Sequence, residues 1–92
     1  MKMCGICSGI MLKEQFWSPE DYINCINYIR RLLERGEYEL TEASCDLDQV
    51  RNERGQWADD IIVHVIRCRG CGQVFTCGCN TWRGSGSFRK GR

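Results

Sequence analysis

Between Ser18 and Gly36 apolar residues recur every three or four positions. Tyr22, Ile26, Ile29 and Leu33 form one stripe, which Ile23, Cys25 and Leu32 widen. This period predicts an amphipathic helix over about 19–35. Ser18 serves as its N-cap and Pro19 as its first residue, while Glu20 and Asp21 place negative charge on the first turn. Arg30, Arg31 and Arg35 complement the other end, where Gly36 stops the helix. After Gly36 the period becomes two. Residues 38–47 predict a strand whose alternation slips: Tyr38 and Leu40 share one parity, Ala43, Cys45 and Leu47 the other. A bulge near Glu42 reconciles them. β-Branched residues over 61–67 predict a central strand, and 74–82 a third. The turn Cys68–Gly72 joins these two as an antiparallel hairpin. Residues 48–57 are polar, contain Asn52 and Gly55, and read as a loop. The expected architecture is α+β: one helix covering a small antiparallel sheet of about three strands in a single domain over 1–82, followed by a flexible basic tail over 83–92.

Composition narrows the classes. At 92 residues the chain can bury one core, and 42% hydrophobic with 27% charged residues excludes disorder. A net charge of +1 excludes a uniformly basic nucleic-acid binder, but it averages two unlike regions. All 12 acids lie between Glu14 and Asp60, where five arginines leave a net −7. From Ile61 onward there are six bases and no acid. Residues 3–12 lack the small-residue cleavage site of a signal peptide, and no apolar run approaches the roughly 20 residues of a membrane span. The expectation is a cytosolic protein with reduced thiols and no membrane partner, which turns its eight cysteines toward metal.

Cys4-x2-Cys7 and Cys68-x2-Cys71 have the spacing of zinc knuckles, in which one turn places both sulfurs on the same ion. Glycines at 5, 9, 70 and 72 supply the dihedral freedom such turns need. The second knuckle, opening into a hairpin, resembles half of a zinc ribbon, so the fold is expected to be zinc-ribbon-like with one structural zinc ion. Four thiolates leave no open coordination position for catalysis. Cys77-x-Cys79 offers an alternative set of Cys68, Cys71, Cys77 and Cys79. Cys25 on the helix stripe and Cys45 on a strand read as small apolar core residues.

Nothing in the chain argues for an enzyme. The C-x-x-C pairs lack the helix N-terminus and facing proline of a dithiol catalyst. His64, the single histidine, sits in an apolar strand and reads as a packed, hydrogen-bonded residue. Asp59 and Asp60 are adjacent, so on a strand they point to opposite faces and form no acid–base pair. There is no phosphate-cradling glycine loop and no nucleophile beside a base.

Two kinds of binding remain. The acids Glu37, Glu39, Glu42, Asp46, Asp48, Asp59 and Asp60, with Trp57 as aromatic anchor, suit a basic protein partner. Arg67, Arg69, Trp82 and Arg83 suit nucleic acid, by phosphate contact and stacking. The hairpin from Asp59 through Cys68, Cys71 and Phe75, followed by Trp82-Arg83-Gly84-Ser85-Gly86-Ser87-Phe88, resembles small bacterial immunity proteins of polymorphic toxin and contact-dependent growth-inhibition systems. That resemblance implies a cytosolic protein that binds and neutralises a cognate toxin, often a nuclease. The alternative is a nucleic-acid-binding zinc ribbon.

Overall fold

The computed structural model describes residues 9–82 and 84–91. Helix α1 spans Pro19–Glu34. The Ser18 hydroxyl accepts the Asp21 N–H at 3.2 Å, and the Asp21 carboxylate reaches back to the Trp17 N–H at 2.8 Å. These bonds satisfy donors that a helix start leaves without partners. The Trp17 bond, more than the Lys13 ammonium nearby, holds the Asp21 carboxyl below its ordinary range. Gly36 turns the chain out at φ +76°, a conformation only glycine adopts cheaply. Tyr22, Ile26, Ile29 and Leu32 are buried; Leu33, expected on the central stripe, lies half-buried at its flank.

Four strands follow: β1 (Tyr38–Ala43), β2 (Ile61–Cys68), β3 (Val74–Asn80) and β4 (Ser85–Lys90). They form one antiparallel sheet in the order β1-β2-β3-β4. The slip in the β1 pattern is a bulge: Leu40 pairs with Ile66 and Glu42 with Val65, leaving Thr41 to donate its hydroxyl to the Val65 carbonyl at 3.1 Å. The strand ends at Ala43, so Cys45 lies in the loop.

The expected flexible basic tail is a correction. Residues 85–90 are β4, because Gly84 at φ +70° reverses the chain and Phe88 buries its ring beside Cys77. The outer edge of β4 is covered in turn: Lys13 exchanges backbone hydrogen bonds with Phe88, and the Phe16 N–H donates to the Gly86 carbonyl at 2.8 Å.

Helix α1 covers one face of the sheet. There Tyr38, Ile62, Ile66, Phe75 and Phe88 meet the helix stripe, with Tyr38–Phe75 rings edge-on at 6.1 Å. The β1–β2 loop is ordered by Asn52, whose side-chain oxygen accepts the N–H groups of Arg54 and Gln56, each at 2.9 Å. It tucks Val50 into the core. Among the described residues no helix is long and apolar enough to cross a membrane.

Candidate functional site

The end of β2 forms a thiol turn. Cys68 is buried and Cys71 exposed, and the Gly70 N–H points at the Cys68 sulfur, 3.3 Å away. Gly72, at φ +78°, closes the turn through its N–H to the Cys68 carbonyl at 2.9 Å. An N–H aimed at sulfur stabilises a thiolate, so the donor chemistry of this half fits a zinc knuckle. Cys4 and Cys7 lie outside the described residues.

The alternative set of Cys68, Cys71, Cys77 and Cys79 does not assemble. Cys77 pairs with His64, four residues along β2 from Cys68, which is about 13 Å of extended chain. Among the described residues no three Cys, His, Asp or Glu side chains converge as a metal site. Instead Cys77 and Cys79 face the helix, where Cys25, Cys45 and the Tyr22 hydroxyl lie near them. The Cys25 and Cys77 sulfurs are 3.9 Å apart. Its hydrogen bond with Cys25, then burial, pushes the Cys77 thiol far up; burial raises those of Cys45 and Cys79. These are neutral thiols in an apolar layer.

His64 is packed and hydrogen-bonded, as its strand position implies. Its Nε2 donates to the Cys45 carbonyl at 2.7 Å, while Nδ1 has no partner among the described residues. Burial lowers its pKa, so the ring is neutral.

The acidic residues divide. Glu39 pairs with Arg67 across β1–β2, and Asp48 with Arg30 at 2.7 Å. Glu37 and Glu42 are half-buried near the β1 edge, whereas Asp46, Asp59 and Asp60 are exposed. Trp57, the expected aromatic anchor, is half-buried, its ring 5.6 Å from that of Tyr22 and capped by the Arg51 guanidinium at 5.1 Å. The exposed indoles are Trp17 and Trp82, at 77% and 80%.

The Trp82 indole and the exposed Asp59 and Asp60 share one end of the molecule. The Thr81 hydroxyl donates to the Asp59 carbonyl at 2.8 Å, and the Thr81 N–H to that of Asp60 at 2.8 Å. The start of β2 is thereby tied to the β3–β4 turn that carries Trp82. Ser18 and Pro19 line a small cavity with Thr81 and Gly84 at this end, whereas Trp17 itself lines a separate groove with Leu12, Lys13, Glu14 and Arg89. Sequence reasoning missed this grouping, although Asn80 and Gly84 around Trp82 are turn residues and could have separated it from the strand.

The proposed nucleic-acid residues are split. Arg67 and Arg69 lie at the β2–β3 turn, Trp82 at the opposite end of β3, whose seven residues span about 23 Å. Arg83 lies outside the described residues. No family model, curated protein or solved structure matches the chain.

Proposed function

We propose that this is a non-catalytic binding protein of the immunity type, which neutralises a cognate toxin domain by covering a basic surface. The observation that carries the reading is the grouping of Asp59 and Asp60 with the exposed indole of Trp82 at one end of the sheet. Exposed tryptophans anchor protein interfaces, and adjacent carboxylates steer a basic partner while repelling phosphate. The cytosol suits such a protein, since its target domain acts there. One zinc ion held by Cys4, Cys7, Cys68 and Cys71 staples the fold without an open position for chemistry.

The test is calorimetric titration of the zinc-loaded protein against the toxin domain encoded beside its gene. Trp82→Ala should weaken binding by about tenfold or more with an unchanged melting midpoint, because the ring is exposed. Asp59→Asn with Asp60→Asn should slow association and flatten its salt dependence. Salt-dependent binding to RNA or DNA, with no protein partner, would sink the reading and favour the nucleic-acid alternative.

A further inference from the structure

Cys25 is half-buried and lines a surface groove with Met11, Leu12, Asn24 and Tyr28. Cys77 lies beneath it in the middle of β3, closed off from solvent. Their sulfurs are 3.9 Å apart, too close for another atom to lie between, although 52 positions separate them in the chain. The other face-sharing thiol of β3, Cys79, shows no such contact with a described sulfur.

The geometry points to an oxidation-responsive thiol pair, in which Cys25 takes the oxidant and Cys77 resolves it as a disulfide joining α1 to β3. The oxidant is hydrogen peroxide, which is small enough to enter the groove. The Cys25 thiolate attacks one peroxide oxygen and the O–O bond breaks. This leaves a sulfenic acid on Cys25, and the departing hydroxide takes up the proton that Cys25 gave up, as water. The Cys77 sulfur then attacks the sulfenic sulfur, and the S–O bond breaks as the S–S bond forms. The Cys77 proton leaves with that hydroxyl as a second water. Two thiols and one peroxide thus yield one disulfide and two waters. The sulfurs must close by about 1.9 Å to reach the bonding distance of roughly 2.05 Å, by side-chain rotation and a small settling of the helix. The division of labour follows from access: only Cys25 meets the groove, and the neutral, buried Cys77 survives until a sulfenic acid forms beside it.

The test uses the full chain, reduced, zinc-loaded and freed of reductant, then treated with hydrogen peroxide. Acid quenching, alkylation and peptide mapping should recover a Cys25–Cys77 linked peptide, lighter by two hydrogens than the reduced pair. Cys25→Ser, a half-buried position that tolerates a hydroxyl, should abolish the link. Cys77→Ala should halt the reaction at a Cys25 sulfenic acid captured by dimedone. The same treatment in urea should lower the yield of this pairing several-fold, because the fold holds the sulfurs together. Recovery of Cys25 as an alkylated thiol after peroxide has consumed other cysteines overturns the proposal. So does its linkage to a different cysteine, or an equal yield from the unfolded chain.

Discussion

Along β3, Phe75, Cys77 and Cys79 turn under the helix, and Thr76, Gly78 and Asn80 turn away from it. Across β4 the same division continues, with Gly86 and Phe88 on the helix side and Ser87 and Arg89 on the other. On the helix side, shape decides which residue is allowed. A Cβ at Gly86 would stand 2.4 Å from the Gly78 carbonyl and 2.9 Å from the Phe16 ring, so any side chain there forces its neighbours to shift. On the other side, a Cβ at Gly78 meets nothing within 4 Å. Glu39, Arg67, Thr76 and Arg89 occupy this side, and Val65 is its one buried apolar residue among those described. Two glycines on adjacent strands are therefore under opposite constraints: at Gly86 the β3 backbone at Gly78 and Cys79, together with the Phe16 ring, leaves no room for a Cβ, while Gly78 is open.

Paired substitutions put this difference to the test. Phe75→Ala should destabilise by about 3–5 kcal/mol, since the ring is fully buried between Tyr38 and Phe88. Its neighbour Thr76→Ala should cost only about 1 kcal/mol, for the hydroxyl bond to the Gly91 carbonyl at 2.6 Å. Urea unfolding measures both, and similar losses would break the two-face picture. Next in size is Gly86→Ala, expected to cost about 1–3 kcal/mol by overpacking. Gly78→Ala should be neutral or gain a few tenths of a kcal/mol, because the side chain has room and the unfolded chain loses freedom.

A pH-dependent effect concerns His64, whose polar ring is buried on the covered face. Burial holds the His64 pKa below its ordinary value of 6.5, so the unfolded chain takes up the proton first. Stability is therefore full above about pH 6.5 and declines as the pH falls from there toward the lowered folded pKa, by at most about 1.4 kcal/mol per pH unit. Melting curves between pH 7.5 and about 5 should show this slope, and His64→Gln should remove it.

Legibility differed between fold and site. The helix, its caps, the β1 bulge and the β2–β3 hairpin were readable because each depends on neighbours in the chain: Ser18 on Asp21, Leu40 against Ala43, Cys68 against Gly72. β4 was missed because Gly84, Ser85, Gly86 and Ser87 have the composition of a linker. What makes them a strand is a neighbouring strand on one side and the 13–16 segment on the other. The acidic neighbours of Trp57 point to it as anchor, but exposure of an indole depends on what packs against it, and Tyr22 and Arg51 are distant or unmarked in sequence.

By itself the sequence determined the helix, the first three strands, the turn glycines and the separation of charge along the chain, because local dihedral preference and hydrophobic period act over a few residues. The tertiary structure decided which cysteines meet, which carboxylates are already paired, and which indoles reach solvent. Those depend on strand register and on the helix lying over one face, so residues 52 positions apart, such as Cys25 and Cys77, come into contact only once the sheet has formed.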